Sequence, residues 1–156
     1  MKGVAAQPVV MKLSPNVTDV TEIALGLQEA GADGLSMINT LMGMVIDVEK
    51  QRPLLGNVTG GLSGPAIRPV GVRMVWQVAQ AVDIPILAMG GIEKTRDALE
   101  YILAGASMVA VGAASFADPL APMAVVDGLE AYCERHRVAH VRDLIGAAWK
   151  EDKRGN

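Results

Sequence analysis

Short apolar runs alternate along the chain with longer segments whose apolar residues recur at helical spacing. The short runs are bounded by Gly or Pro and rich in Val, Ile, Leu and Met, which is typical of strands buried on both faces of a sheet. Four such strands are predicted, at Pro8–Leu13, Gly34–Asn39, Pro85–Met89 and Ser107–Val111. Helices are predicted at Thr18–Ala30, Pro65–Val82, Thr95–Leu103, Pro119–Arg135 and Val141–Lys150. This succession of strand–helix units indicates an α/β fold with parallel strands and right-handed crossovers.

The helical segments carry signals for their buried faces and their ends. The first helix has Thr18 or Asp19 as its predicted N-cap, and its inward residues are Val20, Ile23, Ala24 and Leu27. The inward residues of the second are Val72, Val75, Trp76 and Ala79. An Ala-Gly-Ala sequence occurs at 30–32 and again at 104–106. Each copy predicts a helix that ends at a glycine and leads into a buried strand.

The segment Leu41–Gly64 interrupts this alternation, because it is too long for an ordinary connection. Alternating residues at Met44–Val48 and Leu54–Val58 predict a small hairpin with Glu49–Pro53 as its turn. The segment ends in a glycine-rich loop at 59–64 that leads into a helix start. Long loops after parallel strands commonly carry binding sites.

Composition and charge exclude several classes of protein. The 156 residues predict one domain, and a hydrophobic fraction of 51% with 3% aromatic residues predicts an aliphatic core rather than disorder. A net charge of −3 argues against nucleic-acid binding, and no apolar run is long enough for a membrane helix. The lone Cys133 excludes a disulfide framework and a multi-cysteine metal site. With no signal peptide at the start, we expect a cytoplasmic protein.

The candidate polar residues lie where predicted strands end, which is the ligand-binding edge of a parallel sheet. Lys12 closes an apolar strand, where an ammonium group is costly unless it meets an anion; the alternative is that it extends its head into solvent. Asn39 and Thr40 offer an amide and a hydroxyl for a small polar ligand, or they form an Asx-type turn.

Two pairs of small residues, Gly90-Gly91 and Gly112-Ala113, follow the last two predicted strands. Their backbone N–H groups favour a phosphate site, because a residue without a side chain lets an anion come close. The alternative is that these glycines are needed only for turns with positive φ. Ser63 lacks the G-x-S-x-G spacing of a hydrolase nucleophile, and no metal-ligand cluster is visible.

Several stretches together resemble the catalytic subunit of dihydroorotate dehydrogenase, most closely its class 1B, NAD-linked branch. They are 10–16 (VMKLSPN), 38–44 (INTLMGM), 60–66 (GGLSGPA) and the glycine turns at 89–92 and 111–114. The resemblance spans about Pro8 to Lys150. The FMN-containing part of dihydropyrimidine dehydrogenase shares part of this pattern and is the alternative. A flavodoxin-like protein of unrelated function also fits this chain length.

The resemblance implies FMN-dependent oxidation of dihydroorotate to orotate in the synthesis of UMP. It implies that Lys12 stabilises negative charge on reduced FMN, and that Asn39 and Thr40 hydrogen-bond the orotate ring. The other implied cofactor residues are Ile38, Ser63, Gly64, Met89, Gly90, Gly91, Gly112 and Ala113. Of these, the last four would hold the phosphate.

The family fold is a (β/α)₈ barrel of ~250 residues or more, and this chain matches its second half, strands five to eight. Residues 1–150 are thus expected to form a partial FMN-binding barrel and 151–156 a charged tail. The class 1 catalytic base is a cysteine on a loop of the first half, and Cys133 does not match it. We therefore assign no catalytic residue and expect a fragment that is inactive alone, or a non-catalytic flavin- or phosphate-binding module.

The resemblance and the open half-barrel also imply partners. The class 1B branch pairs with an iron–sulfur subunit that carries FAD and passes electrons to NAD. A half-barrel would leave its first and last strands as open edges, so we expect self-association. Nucleic-acid and membrane partners are not expected.

Overall fold

The computed structural model describes residues 3–4 and 6–150, so the predicted tail at 151–156 lies outside the described residues. The strands are β1 (Val10–Lys12), β2 (Gly34–Met37), β3 (Leu41–Met44), β4 (Ile46–Asp47), β5 (Arg52–Pro53), β6 (Thr59–Leu62), β7 (Ile86–Met89) and β8 (Met108–Ala110). The helices are α1 (Val20–Glu29), α2 (Arg68–Ala79), α3 (Thr95–Ala104), α4 (Ala114–Ala117), α5 (Ala121–His136) and α6 (Ala147–Lys150). Short 3₁₀ turns at Pro65–Ile67 and Val141–Leu144 precede α2 and α6.

A four-stranded parallel sheet in the order β1–β2–β7–β8 forms the centre of the fold. Each of its strands lies within a predicted strand segment, and helices separate successive strands. The predicted α/β fold with a parallel sheet is therefore confirmed. Within the described ranges, no helix has the length and apolar character needed to cross a bilayer.

The two faces of this sheet are covered unequally. On one face Leu35, Ile86 and Ala88 are buried in the main core, together with helix residues. On the other face Val10 and Met108, one on each edge strand, are both 52% exposed. The prediction of strands buried on both faces is correct only for β2, whose residues are all buried. Among the described strands β1 and β8 have one neighbour each, and β7, although it has a neighbour on each side, leaves Leu87 and Met89 partly exposed on the open face.

Helix α1 begins after Asp19, one of the two predicted caps, whose Oδ1 accepts a hydrogen bond from a first-turn backbone N–H at 2.7 Å. Val20 and Ala24 are buried as predicted. The prediction for Ile23 is wrong, because its side chain is 41% exposed. Ile23 lies at the border of the apolar stripe that is centred on Val20, Ala24 and Leu27.

Helix α2 is shorter than the predicted Pro65–Val82, because its first residues form the 3₁₀ turn and it ends at Ala79. Val75 is fully buried, but Met74 and Val78 complete the buried face. The remaining predicted inward residues lie at the border of this face and are partly buried: Val72, Trp76 and Ala79. Helix α2 packs on α3 as well as on the sheet, which shifts its buried face toward Met74 and Val78.

The ends of the helices follow glycine positions. Gly31 and Gly105, in the two Ala-Gly-Ala sequences, have positive φ angles of 82° and 124°. In each copy the following alanine N–H donates to a carbonyl five residues earlier, at 3.0 and 2.9 Å, so these predicted helix ends are confirmed. The prediction of one continuous helix over Val141–Lys150 is wrong, because Gly146, with φ +69°, separates the 3₁₀ turn from α6.

The segment after β2 is a hairpin with two tiers. The inner tier pairs Ile46–Asp47 with Arg52–Pro53, so the turn is shorter than predicted. The outer tier pairs Leu41–Met44 with Thr59–Leu62, which makes part of the predicted glycine-rich loop a strand. The predicted strand at Leu54–Val58 is instead bends and turn. Glycine permits this pairing, because a Cβ at Gly61 would overlap the Thr40 side chain.

Candidate functional site

One cleft, with a volume of about 190 Å³, lies at the carboxyl edge of the parallel sheet. Every residue that the sequence assigns to cofactor or substrate lines it: Lys12, Ile38, Asn39, Thr40, Ser63, Gly64, Met89, Gly90, Gly91, Gly112 and Ala113. The sequence did not single out three further lining residues, Ile67, Ala110 and Val111. The available signal was their place in the chain: Ala110 and Val111 directly precede Gly112, and Ile67 lies three residues after Gly64.

Backbone hydrogen bonds join the strand ends at this edge. The Asn39 N–H donates to the Leu13 carbonyl oxygen at 3.0 Å, and the Ile38 N–H donates to the Met89 carbonyl oxygen at 3.1 Å. The ladder thus continues beyond β2 and places Lys12, Asn39 and Gly90 along one edge. This is the convergence expected of parallel strands, whose carboxyl ends all meet on the same side.

Lys12 is the last residue of β1 and is exposed. Its register partner on β2 is Ser36, so its side chain lies on the open face of the sheet rather than on the core face. No carboxylate within the described ranges forms an ion pair with its ammonium group. The charge is therefore available to an anion in the cleft, and its exposure also agrees with the solvent-facing alternative.

Two walls flank the cleft: Gly90 and Gly91 form the first, and Asn39 and Thr40 form the second. The Thr40 N–H donates to the Asn39 side-chain oxygen at 2.8 Å, a bond between neighbouring residues rather than the two-residue span of an Asx turn. This bond uses the oxygen of the amide and leaves its NH₂ group for a ligand. This local bond does not conflict with the binding interpretation of Asn39, which stays a prediction.

Asn16 holds this second wall in place, and the sequence did not identify it as a site residue. Its Nδ2 donates to the Thr40 carbonyl oxygen at 3.0 Å, and its Oδ1 accepts from the Met42 N–H at 2.8 Å. The side chain thus ties the loop after β1 to the start of the hairpin. The only sequence signal was its place in the motif at 10–16.

Gly90 and Gly91 form the first wall and require glycine, whereas the backbone and the packing at Gly112 do not require it. Their φ angles are +125° and +70°, and a Cβ at Gly91 would lie 2.6 Å from the Gly64 carbonyl oxygen. Gly112 has no positive φ, and a Cβ there would contact nothing within 4 Å. The positive-φ explanation therefore accounts for Gly90 and Gly91 but not for Gly112.

Three residues that line the cleft can offer backbone N–H donors to a ligand. Within the described ranges, no backbone carbonyl accepts a hydrogen bond from the N–H of Gly91, Gly112 or Ala113 outside the regular ladders. Helix α4 has only four residues, so its dipole adds little. The donors suit an anion with several oxygens, because each oxygen can accept more than one hydrogen bond.

A buried polar network supports the first wall from behind. The Tyr101 hydroxyl donates to the Gly90 carbonyl oxygen at 2.8 Å, and the guanidinium group of Arg68 lies 2.6 Å from a carboxylate oxygen of Asp97. Burial raises the pKa of the Tyr101 phenol well above its usual range, so it stays a proton donor. The sequence did not identify these residues; the four-residue spacing of Asp97 and Tyr101 on α3 was the available signal.

The serine, cysteine and histidine side chains of the described residues do not form a nucleophilic catalytic group. Ser63 is exposed at the cleft, whereas His136 stacks on Tyr132 with ring centroids 4.2 Å apart on α5. Cys133 also lies on α5 and does not line the cleft. In the described part of the chain, no three His, Cys, Asp or Glu side chains are grouped to hold a metal ion.

Comparisons with known proteins agree on one family. The profile of the family described as "Dihydroorotate dehydrogenase" matches residues 1–133. The chain is 55% identical over 148 residues to "Dihydroorotate dehydrogenase B (NAD(+)), catalytic subunit" of Desulforamulus reducens, covering 95% of this chain and 49% of that protein. It is 61% identical over 141 residues to the protein of the same name from Desulforudis audaxviator, covering 90% of this chain and 46% of that protein.

A solved structure extends the similarity to the fold. The crystal structure of DHODH in complex with ferulenol from Eimeria tenella matches with a TM-score of 0.76 and 31% identity, over 90% of this chain and 38% of that chain. The chain spans about half the length of the curated relatives it matches. From the family profile, the identities and the shared fold, the chain belongs to the dihydroorotate dehydrogenase family.

Proposed function

We propose that this chain is the FMN-binding half of a B-type dihydroorotate dehydrogenase catalytic chain, which oxidises dihydroorotate to orotate in UMP synthesis. In fold terms it corresponds to strands five to eight of a (β/α)₈ barrel. The observation that carries the proposal is that all the residues assigned to cofactor and substrate line one cleft. Relatives at 53–61% identity are named as catalytic subunits of this enzyme, which supports the assignment.

The residues of the first wall fit the phosphate of FMN. Among the described residues, no backbone carbonyl outside the regular ladders accepts from the N–H groups of Gly91, Gly112 and Ala113, and a Cβ at Gly91 would lie 2.6 Å from the Gly64 carbonyl oxygen. We assign the flavin and ribityl contacts to Ile38, Ser63, Gly64 and Met89, and the flavin edge to Lys12. When bound, FMN supplies the hydride acceptor that the oxidation needs.

The residues of the second wall fit the substrate. The Asn39 amide donates and the Thr40 hydroxyl both donates and accepts, which suits the ring carbonyl and N–H groups of orotate. Lys12, at the end of β1, also lines the cleft, where its charge favours an anionic ligand. This division assigns cofactor anchoring to one wall and substrate orientation to the other.

The thiol and imidazole groups of the described residues, which are the usual candidates for removing the substrate proton, lie outside the cleft. Neither Cys133 nor the histidines line it. We therefore propose that the chain alone binds FMN without turnover. The base would come from the part of the relatives that this chain does not cover, and a B-type partner with FAD and an iron–sulfur cluster would take the electrons. The lone reduced thiol suits a cytoplasmic setting.

We further propose that two copies associate through the open edges of the sheet. Val10 and Met108 expose half of their surface at these edges, which is unfavourable for apolar side chains. Four strands from each copy give eight, the number that closes a small barrel. A second copy of this chain is therefore the partner that we expect to cover the open face of the sheet.

A sizing column run with FMN tests the proposal. We expect flavin absorbance to travel with a protein peak of dimer size, because the phosphate donors and the Lys12 charge are within this chain. A protein peak without flavin would contradict FMN binding by this half. A compact, stable monomer would contradict the self-association, even if it carried flavin.

A further inference from the structure

The Gly90 carbonyl is held by a phenol on the side away from the cleft. Tyr101 on α3 is fully buried, and its hydroxyl donates to the Gly90 oxygen at 2.8 Å. The other nearby acceptor, the Arg68 carbonyl oxygen, is 3.5 Å away. One phenolic proton makes one good hydrogen bond, so Gly90 is the main partner.

This bond sets the direction of a neighbouring donor. The Gly90 carbonyl and the Gly91 N–H belong to one planar trans peptide, in which they point in opposite directions. A carbonyl that points to buried Tyr101 therefore directs the Gly91 N–H away from the core. Both glycines line the cleft, whereas Tyr101 does not.

The packing is arranged around this phenol. Gly71 on α2 lies so close that a Cβ there would overlap the Tyr101 hydroxyl. Any larger residue at position 71 would displace the phenol from Gly90. The space that accommodates the hydroxyl is thus provided by a glycine on a different helix.

The other end of the turn is held from the same helix. A carboxylate oxygen of Asp97 accepts hydrogen bonds from the N–H groups of Glu93 and Lys94 at 3.0 and 2.9 Å. Asp97 is buried and pairs with Arg68 through its other oxygen. Two side chains one turn apart on α3 therefore hold both ends of the segment 90–94.

We infer that Tyr101 is a positioning residue for phosphate recognition, acting through the Gly90–Gly91 peptide without touching the ligand. The inference rests on the proposed function, because it requires a ligand with a phosphate in this cleft. It adds to that function the residue that sets the direction of the Gly91 N–H group.

A comparison of FMN with riboflavin tests the inference, because the two ligands differ only in the phosphate. In fluorescence titrations we expect Tyr101→Phe to weaken FMN binding about tenfold, the effect of one lost hydrogen bond, and to change riboflavin binding less than about twofold. Tyr132→Phe is the matched control: Tyr132 is partly exposed on α5 and stacks on His136. It should leave both affinities unchanged.

A measurement on the unmodified chain covers the case in which Tyr101→Phe does not fold. In spectra of the nitrogen-15-labelled chain, FMN should shift the Gly91 amide resonance strongly and riboflavin should not. A Gly91 resonance that responds equally to both ligands would overturn the inference.

The outcomes separate the inference from the function on which it rests. If the parent chain prefers FMN and Tyr101→Phe weakens both ligands equally, the phenol has only a structural role and the inference fails alone. If the parent chain binds neither flavin, the proposed function fails and the inference fails with it.

Discussion

The wall of the cleft formed by Gly90 and Gly91 is backed by buried side chains of α3, whereas the wall formed by Asn39 and Thr40 is tied by hydrogen bonds from exposed Asn16. The first wall lies over the main core, because Ile67 and Tyr101 pack against Gly90. The second lies at the base of a hairpin that projects from the sheet. One cleft therefore combines a rigid anchor with a more adaptable surface.

This difference matches the two tasks that we propose. A phosphate needs donors that are held in place before binding, since ordering them afterwards costs conformational entropy. A substrate that enters and leaves in each cycle tolerates a wall held by a few exposed bonds. Three substitutions test whether the two walls differ as the contacts indicate.

We expect the largest effect from Gly91→Ala, in the first wall. The new Cβ would lie 2.6 Å from the Gly64 oxygen at a φ of +70°, so the substitution should lower the free energy of unfolding by about 2–4 kcal/mol. Gly112→Ala is the control, because its Cβ meets open space, and it should change stability by less than about 0.5 kcal/mol. Urea denaturation measures both, and equal effects would contradict the assigned rigidity.

A smaller effect is expected from Asn16→Ala, in the second wall. The change removes hydrogen bonds of 3.0 and 2.8 Å to Thr40 and Met42, and at an exposed site this should cost about 1 kcal/mol. Hydrogen exchange of the Met42 amide should become faster, while exchange in β7 stays unchanged. Asn57→Ala, in the turn before β6, serves as the control. Faster exchange in both walls would show that they are not independent.

The smallest effect on stability is expected from Lys12→Ala. Lys12 is exposed and unpaired within the described ranges, so the free energy of unfolding should change by less than about 0.5 kcal/mol. FMN affinity should nevertheless fall, and fall less at high salt, because screening weakens the lost attraction. Lys50→Ala, which removes the hairpin pair with Asp47, should leave FMN affinity unchanged. Unchanged FMN affinity in Lys12→Ala would remove Lys12 from the site.

Local signals predicted the fold well where one short stretch of chain was enough. The order of strands and helices, the Asp19 cap and both glycine helix ends depend on residues within one or two turns of each other. The strand bounds of the hairpin were predicted incorrectly, because the pairing of Leu41–Met44 with Thr59–Leu62 joins residues up to 21 positions apart. No local pattern indicates that the glycine at 61 makes room for Thr40.

The residues of the candidate site fall into the same two groups, those that local sequence predicts and those that depend on the tertiary structure. Residues that end strands could be identified from the sequence, because parallel strands bring their carboxyl ends to one edge whatever the details of packing. Asn16, Arg68 and Tyr101 could not, since their roles depend on contacts between elements far apart in the chain. Supporting residues contact the site only through the fold.

By itself, the sequence determined the alternation of strands and helices, the edge at which the cleft lies and the strand-end residues Lys12, Asn39 and Gly90 that line it. These follow from local periodicity and from the geometry shared by all parallel sheets. Only the tertiary structure decided which glycines are sterically required, which sheet face stays open and which side chain aims the Gly91 donor. Those properties depend on distances between residues such as Gly91 and Gly64, or Gly71 and Tyr101, which chain folding alone brings together.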